Sequence, residues 1–242
     1  MPTHDLSQPL DAAGSVYPGD PDVSVTPHAT HEADGYRVHA LELGTHGGTH
    51  VDAPSHLLPD GRDLDEFDLS TFAFDAVRID CTDYGAREPI GKDAVVEALS
   101  DVDAGTPTDA DAGTPTDADA GTPTDADAVV VHTGWSAYWG TDQYFDHPYL
   151  SADAAAALAE AGLHVGVDTP NVDPTPSATG AGSDDEPEGF PAHRELLGSD
   201  RLLVENLHNL GALPERFELC AYPLPIRDAD GAPVRAVARV EE

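Results

Sequence analysis

The chain has 242 residues, with 46 Asp and Glu against 11 Lys and Arg, which gives a formal net charge of −35 at pH 7. So negative a surface repels nucleic acids and anionic lipids, which excludes both as partners. No apolar run approaches the roughly 18 residues that a membrane-spanning helix needs. Hydrophobic residues make up 40% of the chain, enough for the core of one domain, and we predict a single domain over residues 1–242.

The composition also predicts the setting in which the chain works. Cys81 and Cys220 are too few for a disulfide framework and are typical of buried thiols in a reducing compartment. Residues 1–14 have neither the basic start nor the apolar stretch of a secretory signal. Lys92 is the single lysine, and such a charge repels itself strongly unless molar salt screens it. We therefore expect a cytoplasmic protein of a halophile.

Strand and helix signals alternate along the chain, as is typical of an α/β domain with a mixed sheet. The helix at 151–161 has the clearest ends, because Ser151 is a good N-cap and Gly162 stands just past the last alanines. The predicted elements are, in chain order, a strand at 73–79, a helix at 93–99, a strand at 129–131, the helix at 151–161, a strand at 165–167, a helical turn at 192–197 and strands at 202–204 and 235–240.

A short repeat interrupts this order. From Asp103 to Ala126 the octapeptide Asp-Ala-Gly-Thr-Pro-Thr-Asp-Ala occurs three times, with no large apolar residue to bury. Eight residues are too few for a solenoid unit, which needs about 20 or more. We therefore predict an acidic loop over residues 101–128. A second polar stretch predicts another loop over residues 177–189.

The residues with the most chemistry lie in the segment 44–56, which contains His46, His50, Asp52 and His56. His50 and Asp52 are two apart, so on an extended chain they share a face. The glycines of the segment argue against a helix and let the backbone turn so that His46 can join them. Imidazole and carboxylate together suit Zn, Mn or Fe. The pattern therefore indicates a metal site, although loop histidines that face solvent would also explain it.

This pattern, His-x-Gly-Thr-His-x-Asp-x-Pro-x-His, resembles the signature of the cyclase family of metal-dependent hydrolases, which includes bacterial kynurenine formamidase and isatin hydrolase. The likeness covers nearly the whole chain outside the two acidic loops. Further segments that resemble the family are Asp5-Leu-Ser, Tyr17-Pro-Gly-Asp-Pro, Thr133-Gly-Trp, Gly166-Val-Asp-Thr-Pro-Asn-Val-Asp and Glu205-Asn-Leu-His-Asn-Leu.

The resemblance implies a role for each residue of the predicted site. The implied metal ligands are His46, His50, Asp52 as a bridge, His193 and Glu205, and His56 is the implied acid/base residue. The residues themselves support Glu205, because it directly follows the apolar strand 202–204, where a carboxylate is costly unless it is paired or bound to a metal. The expected cofactor is Zn or Mn, with one or two ions in each subunit.

The resemblance further implies a swivelling β/β/α fold, a homodimer or homotetramer and a small aryl amide as substrate. N-formylkynurenine is the named candidate, and its hydrolysis gives kynurenine and formate. One alternative is the hydrolysis of isatin or of another cyclic amide or lactone. The other is a metal-binding protein without catalysis.

Two residues of the Thr-Gly-Trp region are predicted to contact the substrate. Many relatives carry a basic residue directly before this motif, where this chain has His132. Trp135 ends the motif and would form either a pocket wall or part of the core. His132 could equally be the polar end of the strand 129–131. Leu57 stands where many relatives carry Phe, which leaves the choice of substrate open.

Overall fold

A mixed sheet of nine strands forms the centre of the molecule in the computed structural model, which describes residues 1–105 and 125–241. The strands are β1 (Thr3–Asp5), β2 (Ser24–Ala29), β3 (Val38–Glu42), β4 (His50–Asp52), β5 (Ala73–Asp80), β6 (Pro89–Ile90), β7 (Ala128–His132), β8 (Tyr149–Leu150), β9 (His164–Val167), β10 (Leu203–Glu205), β11 (Arg216–Cys220), β12 (Gly231–Pro233) and β13 (Val237–Arg239). The α-helices are α1 (His31–Asp34), α2 (Lys92–Gly105), α3 (Ala152–Glu160) and α4 (Pro191–Gly198).

The order of strands in this sheet is β1-β13-β11-β5-β7-β9-β10-β4-β12. The four strands β5, β7, β9 and β10 run parallel to their neighbours in that group. The strands on either side of them pair antiparallel, so that β4 lies between β10 and β12. The hairpin β2–β3 and the pair β6–β8 form two smaller sheets.

Alternate side chains of the central strands enter two cores on opposite faces of the sheet. In β5, Phe74 enters one core and Val77 enters the other. Helices α2, α3 and α4 cover the second face, to which they contribute Val95, Leu158 and Leu196. The predicted α/β domain with a mixed sheet is therefore confirmed.

Most of the predicted elements are present, and α2 is longer than predicted. It ends at Gly105 instead of residue 99, because Val102 continues the buried stripe that Val95 and Leu99 begin. The acidic loop predicted over 101–128 therefore begins later than expected, and β7 already starts at Ala128. Its residues 106–124 lie outside the described part of the chain.

The second polar segment, residues 177–189, contains neither helix nor strand, as predicted. It is nevertheless held to the domain. Arg87 pairs with Glu186, and Asp146 accepts hydrogen bonds from Ser177 Oγ at 2.6 Å and from Thr179 Oγ1 at 2.5 Å. Within residues 1–105 and 125–241, none of the helices has the length and hydropathy of a membrane span.

Candidate metal centre

Two neighbouring antiparallel strands, β4 and β10, carry three of the predicted ligands. His50 lies directly opposite Glu205 in the ladder between them. Because side chains alternate along a strand, Asp52 shares the face of His50, while Val51 and its partner Val204 enter the core on the other face. All three ligand-type side chains are buried. Strand register therefore brings together three of the five predicted ligands.

Helix α4 adds His193, whose ring is oriented by Asp173. The Asp173 carboxylate accepts hydrogen bonds from the backbone N–H of Ala192 at 2.8 Å and of His193 at 2.9 Å, at the start of the helix. It also accepts from His193 Nδ1 at 2.8 Å. The other ring nitrogen, Nε2, then lies 3.5 Å from Glu205 Oε1 and 3.7 Å from Asp52 Oδ2. A carboxylate behind a histidine is the usual support of a metal ligand.

The His50 ring is oriented by a backbone carbonyl instead of a carboxylate. Its Nδ1 lies 3.0 Å from the carbonyl oxygen of Gly48, which also accepts a hydrogen bond from Asn206 Nδ2 at 2.9 Å. Nδ1 donates this hydrogen bond because a carbonyl oxygen is only an acceptor. The Nε2 atom is therefore free to bind a metal, and it lies 3.1 Å from Asp52 Oδ1.

His46 reaches the centre from the turn before β4. Its Nδ1 lies 2.7 Å from Asp52 Oδ1, and on the other edge of the ring Nε2 lies 3.1 Å from Asp230 Oδ2. Gly231 packs against the ring so closely that a Cβ at this position would lie 2.6 Å from His46 Cε1. The ring is thus fixed by two carboxylates and by a residue that has no side chain.

These side chains form two groups that share one carboxylate. Within the described residues, the ligand atoms of His46, His50 and Asp52 lie within 4.8 Å of one another, and so do those of Asp52, His193 and Glu205. Asp52 Oδ1 faces the first group and Oδ2 faces the second. The structure therefore brings together all five side chains that the sequence predicted as ligands, with Asp52 in the middle.

The surroundings of Glu205 fit a bound cation. In the described part of the chain, Glu205 Oε1 is buried and has no hydrogen-bond partner. A buried carboxylate oxygen of this kind is costly unless another group, such as a metal ion, completes its contacts. Burial and the neighbouring Asp52 carboxylate raise the pKa of Glu205 to about 7, against the opposing effect of the imidazoles of His193 and His50. A divalent cation would stabilise both carboxylates in their charged form.

Neighbouring carboxylates also raise the pKa values of two imidazoles of the centre. Burial by itself lowers the pKa of His46, but the carboxylates of Asp52 and Asp230 outweigh it and raise the pKa to about 11. Burial also opposes a charge on His193, where the hydrogen bond to Asp173 and the nearby carboxylate of Asp52 raise the pKa to about 10. These protons occupy the nitrogen positions that a metal takes when it binds, so metal binding releases them.

His56 lies at the rim of the centre, on the 3₁₀ turn Pro54–His56 that follows β4. Its ring centroid lies 4.1 Å from that of His46 and 6.0 Å from that of His193. Burial and these neighbouring imidazoles lower the pKa of His56, despite the Asp52 carboxylate. With 30% of its side chain exposed, His56 can reach a ligand from the side of the cluster.

A cavity of about 240 Å³ opens directly above the cluster. The five ligand-type side chains and His56 form its polar floor, and apolar groups of Tyr17, Leu57, Pro170 and Phe190 form walls. The ring centroid of Phe190 lies 6.4 Å from that of Tyr17. Apolar ring walls above a polar floor suit a flat aromatic ligand.

The Cyclase family model, described as "Putative cyclase", matches residues 4–174, more than half of the chain. The chain belongs to the cyclase family. Its predicted membership in this family of metal-dependent hydrolases is thereby confirmed. Kynurenine formamidase of Salinibacter ruber is 33% identical over 239 residues, which are 97% of this chain and 96% of that protein. Kynurenine formamidase of Bacillus mycoides is 31% identical with the same coverage of both chains.

Solved structures show the same cyclase-family fold. Isatin hydrolase A from Labrenzia aggregata bound to benzyl benzoate superimposes with a TM-score of 0.79 at 24% identity, over 100% of this chain and 94% of that chain. Isatin hydrolase A from Ralstonia solanacearum gives a TM-score of 0.77 at 24% identity, over 99% and 92% of the two chains. The predicted cyclase-type swivelling β/β/α fold is therefore confirmed.

The structure does not bring the two predicted substrate contacts of this cyclase-family chain, His132 and Trp135, to the cavity. His132 ends β7, where Arg78 Nη1 donates to its Nδ1 at 3.2 Å. Trp135 is 7% exposed, and its indole N–H donates to the carbonyl of Gln143 at 3.2 Å. Among the described residues neither side chain lines the cavity, because β9 separates β7 from the strand that carries Glu205. Both side chains are held by contacts within the fold, and their role as substrate contacts stays a prediction.

Two carboxylates that hold the imidazoles were missed by sequence reasoning, Asp173 and Asp230. Asp173 lies 20 residues before His193, and Asp230 lies 184 residues after His46. At such separations no local pattern links a carboxylate to the histidine that it supports. The signal that the sequence offers at 230–231 is an Asp followed by a Gly, and that pair is more typical of a turn.

Proposed function

We propose that this member of the cyclase family is an arylformamidase that hydrolyses N-formylkynurenine to kynurenine and formate. The observation that carries the proposal is the cluster of five ligand-type side chains below a cavity with aromatic walls. The aryl ring would pack against Tyr17 and Phe190, which line the cavity, and the formyl group would then reach the polar floor. The relatives named kynurenine formamidase, which match nearly the full length of the chain, support this substrate.

The proposed cofactor is a divalent metal, Zn or Mn, with one or two ions in a subunit. His46, His50 and Asp52 would hold one ion, and Asp52, His193 and Glu205 would hold the second. Held by these residues, a divalent metal would supply Lewis-acid chemistry, namely polarisation of the substrate carbonyl and activation of water at neutral pH. Three imidazoles and two carboxylates without thiolates are a donor set that both metals accept.

His56 supplies the proton that the leaving group needs. The C–N bond of a formanilide breaks readily only if the nitrogen is protonated as it leaves, because an anilide anion is a poor leaving group. His56 is partly exposed, lies beside His46 and lines the cavity, so it can deliver a proton to this nitrogen. Its lowered pKa leaves the imidazole neutral near pH 7, so it would first take a proton from the attacking water and then pass that proton to the leaving nitrogen.

The second candidate reaction is the opening of isatin or of another cyclic amide or lactone. Isatin also carries an aryl C–N bond next to a carbonyl, so the same cavity and the same cluster would serve it. Its support is the likeness of the fold to isatin hydrolase A.

The decisive experiment is a substrate panel with protein that has been stripped of metal and reloaded with Zn or Mn in molar KCl. The panel contains N-formylkynurenine, a simple formanilide, isatin and an aromatic lactone. We expect the highest kcat/KM for N-formylkynurenine. The products of this reaction should be kynurenine and formate. Preference for isatin would select the second candidate, and a protein that binds metal but leaves every substrate intact would contradict catalysis.

The cellular location, the salt requirement and the oligomeric state of the enzyme stay predictions. A cytoplasmic location is supported by the two cysteines, which are buried free thiols. A salt-rich cytoplasm is supported by the net charge of −35. A homodimer or homotetramer is supported by the exposed apolar side chains of Val25, Val38 and Leu41 on the hairpin β2–β3.

A further inference from the structure

The residue before β12, Asp230, places one carboxylate oxygen between two histidines of the site. Asp230 Oδ2 lies 3.1 Å from His46 Nε2 and 3.4 Å from His56 Nδ1. The other oxygen, Oδ1, accepts a hydrogen bond from Thr45 Oγ1 at 3.2 Å. Asp230 thus contacts a proposed metal ligand and the proposed acid/base residue at the same time.

The backbone around Asp230 is fixed by the same strand that carries the ligands. The carbonyl oxygen of Asp230 accepts a hydrogen bond from the N–H of Ala53 at 2.8 Å. The next residue, Gly231, lies opposite Asp52 in the antiparallel pair of β12 and β4. The backbone at Asp230 is therefore hydrogen-bonded to the chain at the end of β4, the strand that carries Asp52. These main-chain contacts set the position of the Asp230 carboxylate relative to both histidines.

We propose that Asp230 is a positioning residue that orients the rings of His56 and His46 together. This inference rests on the proposed function for the part that concerns His56. An ionised carboxylate only accepts hydrogen bonds, so each histidine donates from the nitrogen that faces Asp230. His56 then donates from Nδ1 and presents Nε2 to the substrate. His46 donates from Nε2 and presents Nδ1 toward Asp52, in the group formed by His46, His50 and Asp52.

The exposure of Asp230 favours this role over that of a structural carboxylate. Its side chain is 43% exposed, whereas those of Asp52 and Asp173 are each 1% exposed. Its removal leaves room for water and creates no buried cavity. The fold should therefore tolerate the change, and the effects should appear in the behaviour of the two histidines.

The first part of the test concerns His56 and uses kinetics. Asp230→Ala, His56→Ala and the double variant are compared with the metal-loaded parent on N-formylkynurenine. We expect Asp230→Ala to lower kcat about 10-fold to 100-fold with little change in KM, because binding of the aryl ring is untouched. In the His56→Ala background, at saturating metal, the same change should cost much less kcat, since Asp230 then has no acid/base residue to orient and acts only through His46. Equal losses in both backgrounds would contradict the proposal.

The second part concerns His46 and needs no substrate. Competition with a chelator measures the affinity for Zn, and we expect Asp230→Ala to weaken it about 10-fold, as is typical when the support of a histidine ligand is lost. Asp230→Asn should recover part of the affinity, because the amide oxygen can still accept a hydrogen bond. Loss of metal as complete as in Asp52→Ala would instead make Asp230 a ligand and would overturn the positioning role.

Asp228→Asn is the matched control, because Asp228 is an exposed aspartate two residues away. It should leave kcat, KM and Zn affinity unchanged, and an effect equal to that of Asp230→Asn would mean that only the charge of the segment matters. The two proposals can fail separately. If the parent protein is inert toward the whole panel, the proposed function fails, while unchanged Zn affinity in Asp230→Ala would still overturn this inference.

Discussion

Two fully buried carboxylates, Asp52 and Asp168, have opposite surroundings. Asp168 accepts hydrogen bonds from the N–H of Thr133 at 2.9 Å, from Thr133 Oγ1 at 2.6 Å and from the N–H of Gly134 at 2.8 Å. Asp52 is surrounded by imidazoles, the nearest of which is His46 with Nδ1 at 2.7 Å. Asp168 thus holds the Thr-Gly-Trp turn in place, whereas Asp52 lies where ligand-type side chains converge.

Buried histidines differ in the same way. His147 is bonded through both ring nitrogens, to the carbonyl of Pro148 and to Thr175 Oγ1, each at 2.8 Å. His193 is bonded through Nδ1 to Asp173, and its Nε2 faces other ligand-type side chains. Burial of a polar side chain therefore does not indicate function. The contacts of a buried group decide whether it can bind a ligand, because a group whose hydrogen bonds are all made within the scaffold has no atom left for one.

The largest difference between the two carboxylates should appear in their asparagine variants. Asp52→Asn removes the charge that both metal groups share, so we expect loss of most of the bound metal and a fall in kcat/KM of at least about 10³-fold. Asp168→Asn should keep the metal but lower the free energy of unfolding by about 1–3 kcal/mol, since a hydrogen bond to a buried group is lost. Mass spectrometry of bound metal and urea unfolding in molar salt separate the two effects. A folded Asp168→Asn protein without metal would refute the comparison.

His56 tests whether a histidine at the rim acts in catalysis. His56→Ala should keep fold and metal while kcat falls about 10²-fold to 10⁴-fold, the usual contribution of a positioned acid. The loss should shrink for an ester analogue with a better leaving group, because less proton donation is then needed. Kinetics on both substrates, beside metal analysis, measure this. Loss of metal together with activity would show that His56 is a ligand.

His147 should affect stability at acid pH and not the reaction. Burial lowers the pKa of His147 to about 4, against the weaker opposing hydrogen bond of Pro148, so the folded protein keeps it neutral where the unfolded chain, with a pKa near 6.5, is protonated. Its contribution is therefore complete above pH 6.5 and is lost as the pH falls toward about 4, by a total of the order of 3 kcal/mol.

The variant His147→Gln measures this contribution. Unfolding by urea at pH 7, 6, 5 and 4 should show a shallower loss of stability on acidification than the parent, because a group that titrates only in the unfolded chain has been removed. Chelated, metal-free samples of both proteins are compared, so that protons released from the metal centre cancel. Parallel pH profiles of the two proteins would contradict the assignment.

The smallest effect is expected from a single methyl group at Gly231. A Cβ there would lie 2.6 Å from His46 Cε1. Gly231→Ala must therefore displace the His46 ring relative to His50 and Asp52. We expect the affinity for Zn to fall about 10-fold to 100-fold with the fold retained. Gly198→Ala is the matched control, because among the described atoms none lies within 4 Å of a Cβ at that position. Similar Zn affinities of the two variants would show that the His46 ring is not held by this contact.

The sequence by itself determined the local parts of this protein. His50 and Asp52 share a face because they are two residues apart on a strand, and this required no knowledge of the rest of the chain. The cap at Ser151, whose side chain accepts a hydrogen bond from Ala154 N, follows from a local rule in the same way. The central strands β5, β7, β9 and β10 and the helices α2, α3 and α4 could be predicted for the same reason, since periodicity and caps act over a few residues. The likeness to the cyclase family added His193 and Glu205, which local patterns alone could not connect.

Tertiary structure alone decided which polar groups face the cluster. Asp173 and Asp230 support His193 and His46 through contacts across 20 and 184 residues, and these exist only after α4 has come to lie beside the segment that follows β9, and β12 has paired with β4. The same packing placed His132 on β7, two strands away from Glu205, although it stands next to a family motif. Neighbours in sequence share a strand or a turn, but the partners of a buried side chain come from adjacent strands and helices, and only the order of the sheet decides which those are.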